Sequence, residues 1–119
     1  MTATNRRFER VDIAFQSRFA VDEHVYAAVT ENLSSNGLSL FTNIRLPVGK
    51  RVSISMYHPL FTDGSPITVD GVVARNHLQG MAFEFVSPDR ETSSLLNTVI
   101  RSKLRRRRQV LRRAEASQY

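Results

Sequence analysis

The chain has 119 residues, 41% of them hydrophobic and 24% charged, and it contains no cysteine. That describes one globular domain: too short for two independent cores, too apolar for wholesale disorder, and without thiols for a disulfide framework, a thiolate metal site or thiol catalysis. The net charge of +6 points towards an anionic partner, yet residues 1–100 hold nine Lys and Arg against ten Asp and Glu, and 101–119 hold eight against one. The positive excess therefore belongs to the C-terminal end.

In chain order, the first feature is a smaller cationic cluster, Arg6, Arg7 and Arg10, in the string Asn5-Arg6-Arg7-Phe8-Glu9-Arg10. This segment carries little apolar surface, so residues 1–10 are expected to form a flexible arm, with Phe8 as its anchor on the domain. It lacks the apolar stretch of a signal peptide. The longest apolar run, Val25 to Val29, is far below the roughly 20 residues of a membrane-spanning helix. A soluble, cytoplasmic protein is expected.

From residue 11 to residue 87 the pattern is one of short alternating runs separated by turn residues. Six strands are predicted: Asp12 to Phe19, Val25 to Asn32, Gly37 to Thr42, Arg51 to Tyr57, Ile67 to Arg75 and Met81 to Val86. The strings Ser34-Ser35-Asn36-Gly37, Leu46-Pro47-Val48-Gly49 and Asp63-Gly64-Ser65-Pro66, with the stretch from Asn76 to Gly80, punctuate them. Their backbone preferences favour turns between antiparallel neighbours. The expected fold is mostly β, a six-stranded antiparallel β-barrel with a long C-terminal α-helix. Alternation places Phe15, Phe19, Val25, Leu40, Ile54, Val69, Val73, Phe83 and Phe85 in the barrel interior.

Ser87-Pro88-Asp89 changes the pattern, because serine or aspartate caps a helix, proline suits its first turn, and no Gly or Pro follows. Residues 88–119 read as one helix. Leu96, Val99, Ile100 and Leu104 share a face, with Leu111 extending it, so the first half is expected to dock on the barrel and the second half to project. Residues 101–113 carry eight cations, too dense for ordinary salt-bridged helix surface. One reading is a solvated tail that aids solubility. The others are docking to an acidic protein, to nucleic acid by counterion release, or to anionic lipid. Protein docking is the preferred of these three, through Leu104, Arg105, Arg108 and Leu111, with Val110 adding apolar grip.

Nothing in the sequence reads as a catalytic centre. His24, His58 and His77 are not spaced as metal ligands, and Asp63 and Asp70 lie at or beside turns where carboxylates are solvated. No nucleophile elbow, Walker-type phosphate loop or dinucleotide fingerprint is present. The expectation is a non-enzyme with no metal and no cofactor.

Two motifs remain, Arg6-Arg7-x-x-Arg10 and Asn32-Leu33-Ser34-Ser35-Asn36-Gly37. An arginine cluster, a strand or two, an (Asp/Asn)-x-Ser-x-x-Gly string, a small barrel and a C-terminal helix together resemble the PilZ domain family of bacterial cyclic di-GMP receptors. The resemblance runs from about Asn5 to Ile100, includes the closing strand Gly80 to Phe85, and leaves only the arginine-rich extension outside. It implies that Arg6, Arg7 and Arg10 grip the ligand as an arm that orders on binding, while Asn32 and Ser34 read a guanine edge and Gly37 permits a turn or a close ligand approach. Arginine suits this task because its planar fork meets phosphate oxygens, pairs with guanine O6 and N7, and stacks on a purine face. Asn5 stands where many members carry a further basic residue, so one ligand molecule or a stacked pair both fit. Arg75, near the end of the fifth strand, either reaches the ligand from the side or is a solubilising residue. The resemblance also implies that the ligand signal passes to a protein partner, with nucleic-acid or anionic-surface binding by the arginine-rich helix as the alternative function.

Overall fold

The protein's structure is a computed structural model that describes residues 9–61 and 64–116, with side chains described as far as Arg108. Its elements are β1 (Val11–Asp12), β2 (Gln16–Val21), β3 (His24–Ser34), β4 (Gly37–Phe41), β5 (Arg51–Tyr57), β6 (Ile67–His77), β7 (Gly80–Phe85) and α1 (Arg90–Ala116). Every strand pairing is antiparallel, in the order β3-β2-β5-β6-β7-β4, and β4 returns to pair with β3. This closes a six-stranded barrel, and β1 adds a short seventh strand alongside the C-terminal half of β3.

The single strand expected from Asp12 to Phe19 is thus two. Asp12 pairs with Asn32 and Gln16 with Val29, so the chain advances four residues on one side against three on the other. The extra residue interrupts the ladder, although Ile13 N–H still donates to the Glu31 carbonyl (3.1 Å) and Thr30 N–H to the Phe15 carbonyl (2.8 Å). Alternation survives this interruption, since Val11, Phe15, Ser17, Phe19 and Val21 are all buried.

Val52, Ile54 and Met56 of β5, Ile67, Val69 and Val73 of β6, and Met81 and Phe83 of β7 complete the core with Leu33, Leu38 and Leu40. Val25 does not belong to it. It is 65% exposed, because β3 is apolar on both faces and its inward set is fixed by pairing of Phe19 with Tyr26 and Ser17 with Ala28. Phe85 is only half-buried. Two polar groups inside the barrel satisfy each other: the hydroxyls of Ser17 and Thr30 are 2.8 Å apart and fully buried.

The helix begins two residues later than the predicted 88. Asp89 is its N-cap, with Oδ1 accepting the Thr92 N–H at 2.7 Å. That backbone hydrogen bond holds the Asp89 carboxyl below its ordinary pKa. Leu96, Val99 and Ile100 are buried in the core, and Leu104 packs against it half-buried, which seats α1 against β1 and β3.

His58 sits under this helix. Its ring meets Phe15 edge-on (5.3 Å between centroids), its Nδ1 accepts the Leu60 N–H at 3.1 Å, and it lines a small cleft with Lys103 and Arg106. Burial, and then the charge of Arg106, lower its pKa. An unfolded chain therefore takes up this proton first as pH falls through about 6.5. Stability from this source is fully present above that value and is lost as pH falls towards the lower folded pKa. Melting temperature should accordingly fall between pH 7.5 and 5.5, and His58→Phe should flatten that part of the profile; an identical slope in the variant would show that other groups govern it.

Candidate functional site

The Asn32 to Gly37 string folds as the end of β3, a two-residue turn and the start of β4. Ser34 is buried, and its hydroxyl works inside the turn: Oγ–H donates to Asn36 Oδ1 (2.7 Å), and Asn36 N–H donates back to Ser34 Oγ (3.3 Å). The Asn36 carbonyl accepts the Phe85 N–H at 2.8 Å, which ties the turn to β7. Gly37 faces Glu84 across the β4–β7 seam, and a β-carbon on it would run into the Phe83 carbonyl oxygen. The glycine is thus required by the approach of two backbones.

Beside this turn lies a cleft of about 160 Å³ lined by Arg10, Asn36, Gly37, Arg75 and Glu84. Whole-ligand pockets are typically about 300–1,000 Å³, so the cleft has room for one base or one phosphate rather than an entire dinucleotide. Arg10 immediately precedes β1, whose Val11 is paired with Leu33, and so enters the cleft from a fixed point. Arg75 arrives through a β-bulge. Val73 pairs with Phe83 and Arg75 with Ala82, leaving Ala74 unmatched, so both Ala74 and Arg75 face outward instead of alternating. Among the described residues no carboxylate is paired with Arg75.

Chemically the cleft offers two guanidinium groups and the Asn36 NH2 as donors, with the Glu84 carboxylate as acceptor. The Asn36 amide oxygen is already engaged by Ser34, which leaves the NH2 for a ligand. This combination suits a planar, partly anionic molecule that has both acceptor and donor edges.

Arg10, Gly37 and Arg75 of the expected site residues line this cleft. Ser34 lies behind it, and Asn32 does not line it. Asn32 is half-buried at a second bulge, between Thr30 and Asn32 in the β3–β4 pairing, opposite Asp12 and Ser39. Arg6, Arg7 and Phe8 fall outside the described residues, as does the Leu111 side chain. Of the residues expected to contact a partner, Leu104 is half-buried against the core, while Arg105 and Arg108 are exposed. Sequence pattern marks Asn36 as a turn residue only and does not single out Glu84. Their signals were Asn36's place inside the motif and Glu84's outward position between Phe83 and Phe85. Among the described residues, no group of three His, Cys, Asp or Glu is arranged to hold a metal ion, and no helix is long and apolar enough to cross a membrane.

Comparison with known proteins adds a family match: residues 4–102 fit the model of the PilZ domain. Among curated proteins, none matches this sequence. Solved structures with similar folds include the inhibitor of motility MotI/DgrA of Bacillus subtilis, with TM-score 0.70 and 17% identity over 87% of this chain and 51% of that one. YcgR of Escherichia coli in complex with c-di-GMP gives TM-score 0.74 and 16% identity over 92% of this chain and 50% of that one. The PilZ domain of the same protein with c-di-GMP gives 0.70 and 15% over 90% and 97%. This chain spans about half the length of the first two. At such identities the likeness is one of fold.

Proposed function

The chain belongs to the PilZ domain family, and from that premise we propose that it is a non-catalytic receptor for cyclic di-GMP. The observation that carries the reading is the convergence of Arg10, Arg75 and the motif turn on one cleft. The ligand seen with Escherichia coli YcgR supports it. Cyclic di-GMP has two anionic phosphodiesters for the guanidinium groups. Its guanines present O6 and N7 as acceptors and an amino group as donor, which match the Asn36 NH2 and the Glu84 carboxylate.

In this reading residues 1–10 are a clasp, 11–87 the receptor barrel and 88–119 an output helix. Arg6 and Arg7 join Arg10 on the ligand, so binding draws the arm against the barrel and changes the surface that a partner meets. Gly37 sets the cleft floor by letting β4 and β7 approach. Ser34 acts by holding Asn36, and Asn32 offers its amide to a guanine edge from the neighbouring bulge. Signalling requires that the ligand bind the closed arrangement more tightly than the open one. In this reading the protein works in the bacterial cytoplasm.

Isothermal titration with cyclic di-GMP should give micromolar or tighter binding, and absence of heat at high protein concentration would overturn the proposal. Asn36→Ala should weaken binding by about 2- to 12-fold, the loss of one ordinary hydrogen bond. Unchanged affinity would return Asn36 to a purely structural role.

A further inference from the structure

The arginines of α1 fall into a row that the nucleotide site does not use. Arg101, Arg105 and Arg108 are exposed and lie at i, i+4 and i+7, a spacing that keeps them on one face. In sequence the next step, i+11, is Arg112. Leu96, Val99 and Ile100 are buried in the core, so this row runs along the side of the helix away from the barrel. Among the described residues no carboxylate is paired with Arg101, Arg105, Arg106, Arg107 or Arg108. From Arg101 to Arg108 the row is about 10 Å long at 1.5 Å per residue, with a cation about every 5 Å.

We propose that this helix face binds nucleic acid through the phosphate backbone. The choice of partner rests on what accompanies the charge. A stable protein interface needs a desolvated apolar centre, and an amphipathic lipid anchor needs apolar area to bury. The apolar side chains described on α1 from Leu96 to Leu104 are all packed on the protein's own core, including Leu104, which the sequence offered as a grip for a partner. What faces outward from Arg105 to Arg108 is charge alone. Nucleic acid is a macromolecule that charge alone can hold, because phosphate contacts and counterion release supply nearly all of non-specific binding. The shapes also agree: a helix with side chains is about 10–12 Å across, and the major groove of duplex DNA is about 12 Å wide. Recognition of this kind selects for backbone and not for base sequence.

The test is fluorescence anisotropy with a labelled 20-base-pair DNA duplex at salt concentrations from 50 to 200 mM, using the whole chain. Binding should weaken steeply with salt, and Arg101→Gln, Arg105→Gln and Arg108→Gln combined should lower the slope of log affinity against log salt by about 2.7, three phosphate contacts at about 0.9 each. That difference corresponds to about a 40-fold smaller loss of affinity across the salt range. Because all three side chains are exposed, the variant should melt as the wild type does by circular dichroism. No binding at 50 mM salt, or an unchanged slope in a folded variant, overturns the proposal. So does equal competition by polyglutamate or by anionic lipid vesicles at matched charge, which would assign the face to an acidic protein or to a membrane.

Discussion

Replacing Arg10 by alanine should weaken cyclic di-GMP binding by about 10- to 150-fold, the range for losing a hydrogen bond to a charged group at about 1.5–3 kcal/mol. Arg10 is the described arginine of the N-terminal motif and lines the cleft, and β1 pairing fixes the chain directly after it. Arg10→Lys should recover little. An ammonium supplies charge but no planar fork for two phosphate oxygens, and no flat surface for a purine. Arg51→Ala provides the control, since that arginine is engaged with Asp70 at 3.3 Å between β5 and β6 and its loss should leave affinity unchanged. Calorimetry that gave Arg10→Ala the wild-type dissociation constant would remove the cleft from the binding site.

Gly37→Ala should lower the melting temperature by about 4–12 °C, taking about 1–3 kcal/mol for overpacking and about 4 °C per kcal/mol for a chain of this size. The added methyl group meets a backbone carbonyl, that of Phe83, which cannot swing aside as a flexible side chain would. The strands must therefore separate at the β4–β7 seam that closes the barrel. Ligand affinity should fall with stability, because Asn36 is tied to Phe85 across the same seam. Thermal melting followed by circular dichroism distinguishes two roles for this motif glycine. A variant that melts normally yet no longer binds would show that the glycine admits the ligand, whereas a variant with a lower melting temperature shows that it admits β7.

Much of the fold is legible in the sequence wherever one face of an element is polar. Strand β5, and β6 as far as Val73, alternate cleanly, so Ile54, Val69 and Val73 read as interior and are buried. The helix face of Leu96, Val99 and Ile100 was equally readable from its spacing. Val25 escapes this pattern because it stands in a run apolar on both sides, where a period of two leaves the choice of inward face undecided. The division of the first strand is likewise hidden, because a bulge is a mismatch with a partner strand and leaves no mark in its own sequence.

The candidate site shows the same division at the level of chemistry. Residue types, the spacing of the arginine and Asn-x-Ser-x-x-Gly motifs, and the concentration of charge in the last 19 residues are properties of the chain, and the two motifs carry the family resemblance. Which of those residues meet was decided by strand pairing. The unmatched Ala74 turns Arg75 into the cleft, the Phe83 carbonyl demands a glycine at 37, and Ser34 is drawn inward so that Asn36 takes the outer place. Each of these outcomes depends on a backbone 30 or more residues away, or on a register shift set by that backbone, or on competition for one hydroxyl within a turn. Local pattern specifies the elements and their polar faces, while the contacts that aim individual side chains exist only once the barrel has closed.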